Sequence, residues 1–259
     1  MENIAVIIYG DGGELGSFQI FARSLKSELK SKYKRTESIH INRDHKFFEF
    51  LGAFNPGKEK IAELHIFSHA IGAGLFLGYK DPVVARRREA VVERAKRDKK
   101  RVNYDMAVRT ETGAIQTDDF LLPRITKQKA SLQKIFTDDA FIKLWGCNSG
   151  IVDWVYSDNG GIADPHDKSV VYYWRAFNER NTPKPAIAQA IADFFDCSVY
   201  GASSGTSIVV KHKRKWISTQ AFKNKAGKWP SGMLPHRLVP DRGDFREYKP
   251  VRKAKSSAL

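Results

Sequence analysis

The sequence is poor in cysteine and contains no long apolar run. With 2 cysteines in 259 residues, the chain does not have the pattern of a disulfide scaffold, and so low a content is typical of proteins from a reducing compartment. No apolar run approaches the roughly 18 residues that a membrane-spanning helix needs. The first apolar stretch, 4–9, is short and ends at Gly10, which predicts neither a signal peptide nor an anchor. We therefore expect a cytoplasmic protein, or one that a specialised secretion system exports.

Acidic residues are also in deficit, because 29 Asp and Glu face 44 Lys and Arg and leave a formal net charge of +15. The excess is concentrated in segments 86–101, 211–228 and 242–255, whose formal charges are +6, +7 and +4. The rest of the chain is close to neutral and, with 42% hydrophobic residues overall, can bury a sizeable core. The basic segments could contact an anionic partner. No nucleic-acid-binding motif accompanies them, so we do not expect that partner to be nucleic acid.

Short apolar runs alternate with segments of helical periodicity, a pattern typical of α/β proteins. Strands are predicted at 4–9, 38–41, 61–68, 140–145 and 197–201, and helices at 17–33, 45–54, 129–136 and 186–195. This alternation predicts a mostly parallel sheet with helices on both faces, which is a three-layer α/β sandwich. Segment 207–219 predicts a strand pair or one long strand. We expect one domain over 1–221 with a basic insertion at 80–127. A basic extension that contains Pro and Gly, 222–259, would be packed on the domain or trail from it.

Two residues suited to nucleophilic catalysis follow predicted strands. Cys147 comes after strand 140–145 and Gly146, and His69 ends strand 61–68. The carboxyl ends of parallel strands meet at one edge of a sheet, so the two side chains are predicted to approach each other across 78 residues of sequence. A thiol nucleophile needs a base, which the histidine would supply. Each residue alone could instead be structural, the cysteine as a small buried side chain and the histidine as a surface residue.

The segments around these two residues resemble the motifs of clan CD, the caspase-like superfamily of cysteine peptidases. ELHIFSHAIGAGLFLG (63–78) resembles the histidine motif, in which an apolar strand runs into Ser-His-Gly, and is closest to bacterial members. FIKLWGCNSG (141–150) resembles the Gly-Cys motif of the nucleophile. Segment 184–207 resembles the helix and strand that follow it. The resemblance covers roughly residues 1–78 and 128–210.

The resemblance implies a caspase-like cysteine endopeptidase, of the kind found in bacterial effectors, toxins and self-processing proteases. Cys147 would be the thiolate nucleophile and His69 the general acid and base. The backbone N–H groups of Cys147 and Ala70 would stabilise the oxyanion; Ala70 stands where the family usually has glycine. This chemistry requires neither a metal nor a cofactor.

The resemblance also suggests where a protein substrate and an activating ligand would bind. Family members that cleave after Lys or Arg hold that side chain with a carboxylate, and Asp153 and Asp158 follow the nucleophile here. Ser203, Ser204 and Thr206 occur where the family builds pocket walls. In the self-processing domains of bacterial toxins, a basic strand pair binds inositol hexakisphosphate. The comparable residues are Lys211, Lys213, Arg214 and Lys215.

Two other functions stay open. Ala70 in place of glycine is also compatible with a non-catalytic caspase-like module that binds or scaffolds other proteins. The glycine-rich segment 10–16, followed by Asp44, weakly resembles a dinucleotide-binding fingerprint, but its third glycine is one position late. His65 and His69 would lie on one face of a strand, yet no Glu lies at ligand spacing, so no metal site is predicted.

Overall fold

The computed structural model describes most of the chain. It covers residues 1–12, 18–72, 74–78, 113–152, 185–212, 215–218 and 236–251, three short strands at 155–156, 161–163 and 171–173, and the single positions 90 and 97.

The described residues form fifteen strands, five α-helices and one 3-10 helix. The strands are β1 (Glu2–Tyr9), β2 (Thr36–His40), β3 (Glu59–Phe67), β4 (His69–Ile71), β5 (Gly74–Phe76), β6 (Ala114–Gln116), β7 (Phe136–Leu144), β8 (Val155–Tyr156), β9 (Gly161–Ala163), β10 (Val171–Tyr173), β11 (Ser198–Ala202), β12 (Thr206–His212), β13 (Lys215–Ser218), β14 (His236–Pro240) and β15 (Phe245–Tyr248). The helices are α1 (Phe18–Leu29), α2 (Asp44–Gly52), the 3-10 helix (Thr117–Leu121), α3 (Pro123–Thr126), α4 (Lys129–Gln133) and α5 (Ile187–Phe195).

A six-stranded sheet forms the centre, in the order β15-β11-β7-β3-β1-β2. All neighbouring strands are parallel except β15, which runs antiparallel to β11. The prediction of an α/β fold with a mostly parallel sheet is thus confirmed. Because β1 lies between β2 and β3, the direction of winding reverses there, and the carboxyl ends of β1 and β3 border a topological switch point, where ligands of such sheets bind.

Two separate apolar clusters pack on the sheet. Side chains alternate along β1, so Val6 belongs to one cluster while Ala5 and Ile7 belong to the other. The larger cluster contains the apolar faces of α2, α4, α5 and the 3-10 helix. The smaller cluster contains residues of α1, the ends of β3 and β7, and Leu238 of β14. Buried apolar residues therefore pack against both faces of the sheet.

Three smaller sheets surround the central one, with the orders β4-β5-β6, β10-β9-β8 and β13-β12-β14. The first follows β3 directly, and β12 of the last continues the chain from β11. The predicted strand pair within 207–219 is confirmed as the antiparallel hairpin β12–β13.

The structure adds detail to two segments of the predicted domain organisation. Residues 113–127, the last part of the predicted insertion, contribute Ile115, Phe120 and Ile125 to the larger core cluster. The predicted C-terminal extension contributes β14 and β15, and Tyr248 of β15 is buried in the same cluster. Both segments are rich in polar residues and lack a clear periodicity, so their regular structure depends on the strands that they pair with.

Within the described residues, no helix combines the length and apolar character that crossing a membrane requires.

Candidate functional site

Cys147 and His69 line one cavity at the carboxyl edge of the central sheet. The cavity has a volume of about 150 Å³. His69 follows the end of β3, Cys147 follows the end of β7, and these two strands are parallel neighbours. The parallel pairing therefore brings together two side chains that are distant in sequence.

A tight turn after β7 positions Cys147. Asn148 has a positive φ of 57°, and its N–H donates to the carbonyl of Ser204 at 2.8 Å. Ser149 is fully buried; its hydroxyl donates to the Gly146 carbonyl and accepts from the Ala202 N–H, both at 3.0 Å. These bonds attach the turn to the loop after β11, so the thiol is held by two neighbouring strands.

Gly146 packs directly against β4, the strand that begins with His69. A Cβ at this position would lie 2.5 Å from Cβ of Ala70 and 2.6 Å from the carbonyl oxygen of Ser68. Contacts this short are not tolerated between such atoms, so a side chain would push the turn away from β4. The glycine before the cysteine is thus what allows the Cys147 and His69 backbones to approach.

The Cys147 thiol is hydrogen bonded to Thr206, the first residue of β12. The Thr206 N–H donates to Sγ at 3.2 Å, and Oγ1 of Thr206 lies 3.2 Å from the same sulfur. An N–H donor directed at sulfur stabilises negative charge on it. The sequence predicted Thr206 as part of a pocket wall, and the structure places it on the sulfur atom.

The His69 imidazole is held by the loop after β1 and by α1. Its Nε2 lies 3.2 Å from the carbonyl oxygen of Gly12. A carbonyl only accepts hydrogen bonds, so Nε2 carries the proton and Nδ1 is the nitrogen that can exchange one. The ring of Phe18 meets the imidazole edge-on, with centroids 5.1 Å apart. No hydrogen bond joins His69 to Cys147 among the described residues, but in ligand-free sites such bonds are often long or absent.

The loop that presents Gly12 is itself anchored on both sides. The Asp11 carboxylate lies 2.6 Å from Nε2 of His40 and accepts a bond from Asn42 at 3.1 Å. The Asp11 N–H donates to the Leu77 carbonyl at 2.7 Å. Sequence reasoning did not identify this role of Asp11, because its partners lie on β2 and after β5. The signal that could have indicated it is the sequence Gly10-Asp11-Gly12 directly after an apolar strand.

Ala70 lies in β4 and is buried. In the described chain, positive φ at residues other than glycine occurs at Asn148 and Asp196, so the Ala70 methyl group causes no backbone strain. The methyl group of Ala70 packs against Gly146, where the missing side chain leaves room for it.

A network of hydrogen-bonded side chains surrounds the buried residues Glu63 and His65, on the face of the central sheet that packs against α1. The Glu63 carboxylate pairs with Lys32 and accepts bonds from Tyr33 at 2.9 Å and from His65 Nε2 at 2.9 Å. Trp145 Nε1–H donates to Nδ1 of His65 at 3.3 Å. Nε2 of His65 therefore carries the proton and Nδ1 is the acceptor, which describes a neutral ring. Burial keeps the pKa of His65 below its usual value. Burial opposes ionisation of Glu63, but its hydrogen bonds outweigh that effect and hold its pKa at about 2.

The predicted pocket residues are only partly described. Ser203 and Ser204 line a second cleft of about 750 Å³, together with Asn148 and Asp241. This cleft borders the turn of Cys147 but is distinct from the cavity that holds the sulfur. The predicted substrate carboxylates, Asp153 and Asp158, lie outside the described residues.

The predicted polyphosphate site lies partly outside the described residues. Lys213 and Arg214 are not described. The backbones of Lys211 and Lys215 belong to the hairpin β12–β13, where Lys211 pairs with Trp216 and Lys215 with His212. The hairpin thus places these two basic residues near its turn.

Asp44, the acidic residue of the weak dinucleotide pattern, is buried in the first turn of α2. Its Oδ2 atom lies 3.5 Å from Arg124, and burial raises its pKa to about 6. A residue enclosed in this way is not available to bind a ribose hydroxyl. Within the part of the chain that the structure describes, no group of His, Cys, Asp and Glu side chains is arranged to hold a metal ion.

Comparisons of the chain with protein-family models, with curated proteins and with solved structures found no match.

Proposed function

We propose that this protein is a cysteine endopeptidase with a caspase-like, three-layer α/β fold, in which Cys147 and His69 form the catalytic pair. The observation that carries the proposal is the shared cavity: a partly buried thiol and an imidazole, from neighbouring parallel strands, line one space large enough for a substrate group. The order of the two residues along the chain, and their positions after the third and fourth predicted strands, are those that the resemblance implies.

In the proposed mechanism, these groups carry out the steps of peptide hydrolysis. His69 takes the thiol proton at Nδ1, and the sulfur attacks the carbonyl carbon to form a tetrahedral adduct. The imidazolium then gives its proton to the departing amine, leaving a thioester on Cys147. Water, activated by His69, attacks the thioester carbonyl; the acid is released and the proton returns to sulfur. The net reaction consumes one peptide bond and one water.

Two contacts prepare the pair for this sequence. The Gly12 carbonyl fixes the tautomer of His69, so that Nδ1 is free to exchange the proton. The Thr206 N–H stabilises charge on the sulfur before attack. In the proposed transition state, the backbone N–H groups of Cys147 and Ala70 would receive the oxyanion.

The test is to incubate a denatured and a native proteome with the wild-type protein and with Cys147→Ala, and to compare the new N-termini by mass spectrometry. We expect N-termini that appear with the wild type and are absent with Cys147→Ala and with His69→Ala. Cys197→Ala is the matched control, because this second cysteine is buried in the core, and it should retain cleavage. Identical N-termini from wild type and Cys147→Ala would contradict the proposal and favour the non-catalytic scaffold.

A further inference from the structure

We infer that the cavity at Cys147 is the binding site for one apolar side chain of the substrate, that of the residue whose carbonyl is attacked. The inference rests on the proposed function and names its substrate class. It departs from the preference for Lys or Arg that the sequence suggested.

The walls of the cavity are apolar. Phe18 and Phe21 of α1 form one side, and Ile208 of β12 and Leu238 of β14, which are paired directly across their strands, form another. The remaining described residues that line it are Ser68, His69, Gly146, Cys147 and Thr206. Among these described residues there is no carboxylate, lysine or arginine.

This lining decides the charge of the occupant. A Lys, Arg, Asp or Glu side chain that entered would lose its water without gaining an ionic partner among the described lining residues, which is strongly unfavourable. Two described carboxylates, Asp241 and Asp244, line the second cleft and not this cavity, and the Asp241 carboxylate accepts a hydrogen bond from Ser207. An apolar side chain meets no such penalty and gains from burial.

The volume decides the size of the occupant. A protein cavity of about 150 Å³ with apolar walls accommodates a benzene ring, and the cavity here has about this volume. Because Sγ and the imidazole lie on its wall, the side chain that fills it belongs to the residue under attack. Leucine, methionine and phenylalanine are the expected residues at that position.

The experiment uses peptidyl acyloxymethyl ketones that are identical except at the residue next to the electrophile, which is Leu, Phe, Ala, Lys or Asp. Intact-mass and peptide-resolved mass spectrometry give the second-order rate of modification of Cys147. We expect the Leu and Phe probes to react at least about 100-fold faster than the Lys and Asp probes, since the latter bury an unpaired charge.

Substitutions of Ile208, which is only partly buried, test the cavity itself. Ile208→Trp keeps the wall apolar but fills the space, and should lower the ratio of the Phe rate to the Ala rate at least about tenfold. Ile208→Asp adds a carboxylate and should raise the Lys rate relative to the Leu rate, whereas the neutral Ile208→Asn should lower the Leu rate without that gain. Thermal melting shows which variants are folded.

The outcomes separate the inference from the proposed function. If Lys or Asp probes modify Cys147 as fast as Leu and Phe, and the modification depends on His69, the peptidase stands and the apolar cavity is overturned as its specificity site. An unchanged Phe-to-Ala ratio in folded Ile208→Trp also overturns it. If no probe modifies Cys147 faster in the wild type than in His69→Ala, the proposed function fails, and the inference with it.

Discussion

At the scale of single residues, a backbone carbonyl group sets the tautomer of His69. The Gly12 carbonyl accepts the Nε2 proton, and the position of this carbonyl depends on the loop after β1. Asp11 holds that loop through His40 and Asn42. Asp11 is therefore a positioning residue, because it acts on the imidazole only through the backbone of the next residue.

Replacing Asp11 by Asn tests this arrangement. The amide keeps the size of the carboxylate but cannot accept charge-assisted bonds from both partners, so the loop should loosen and His69 should lose its fixed tautomer. We expect Asp11→Asn to slow alkylation of Cys147 by iodoacetamide about 3- to 10-fold at neutral pH and to shift the pH profile of the rate. Asp11→Glu should restore part of the rate.

A purely structural role would give a different result. Loss of stability alone would lower the melting temperature and leave the pH profile of the folded protein where it is. An Asp11→Asn protein with the wild-type pH profile and rate would show that the loop does not govern His69.

At the scale of elements, the turn after β7 depends on close backbone approach. Gly146 contacts Ser68 and Ala70, and the turn is bonded through Ser149 to Ala202, the last residue of β11. Tyr248 of β15 donates to the Gly150 carbonyl at the end of the same turn. The edge strand β15 thus supports the turn after β7 from the side opposite to β3.

Gly146→Ala tests that close approach. The added methyl would meet backbone and Cβ atoms at 2.5–2.6 Å, so the turn must move. We expect a loss of about 1–3 kcal/mol in the free energy of unfolding, as for other overpacked sites, and at least a tenfold slower reaction of Cys147. Urea unfolding and iodoacetamide labelling measure the two effects.

Gly52→Ala is the matched control. A Cβ on this residue, at the end of α2, would meet no atom within 4 Å, so the substitution should leave stability unchanged or raise it by up to about 1 kcal/mol. Equal effects of the two substitutions would show that the Gly146 contact does not matter.

The elements also show how far the sequence could predict the fold. The strands β1, β3, β7 and β11 each contain a stretch of buried apolar residues, and they were predicted to within a few residues. β15 was missed because Arg246 and Glu247 are exposed at its centre, so it carries no alternating pattern. The walls of the cavity could not be predicted, since Phe18, Ile208 and Leu238 come from elements that only tertiary packing brings together.

At the scale of the whole molecule, one buried network links folding to pH. The pKa of Glu63 is held at about 2, below its usual 4.5, and that of His65 is lowered from its usual 6.5. For each group the folded state binds fewer protons than the unfolded state between the two pKa values, so stability falls as pH falls through that window. His65 contributes this loss below pH 6.5, and Glu63 contributes it from about 4.5 down to about 2.

Glu63→Gln should therefore make the acid dependence of stability weaker. We expect the variant to be less stable at pH 7 by up to about 3 kcal/mol, the equivalent of the Glu63 pKa shift, and to lose less stability than the wild type below pH 4.5. Denaturant unfolding at pH 7, 5 and 3 measures the change. Glu59→Gln, at the start of the same strand, where Glu59 pairs with Arg35 at the surface, is the control and should keep the wild-type slope. A wild-type slope in Glu63→Gln would contradict the assignment.

The distribution of charge is the second whole-molecule feature. The three basic segments account for the net charge of +15, while the cavity at Cys147 is lined by apolar groups and the candidate pair. Most of segments 86–101 and 211–228 falls outside the described residues. The excess of basic residues therefore lies in other segments of the sequence than Cys147 and His69.

The most direct test of the Cys147–His69 pair is the rate at which iodoacetamide alkylates each cysteine, resolved by peptide mass spectrometry. Burial raises the pKa of the Cys197 thiol to about 12, so Cys197 serves as an internal reference of low reactivity. We predict that Cys147 reacts at least about 100-fold faster than Cys197 near neutral pH, and that His69→Ala slows Cys147 at least about tenfold in a protein that melts like the wild type. A Cys147 rate that is unchanged by His69→Ala, or equal to that of Cys197, would contradict the catalytic pair.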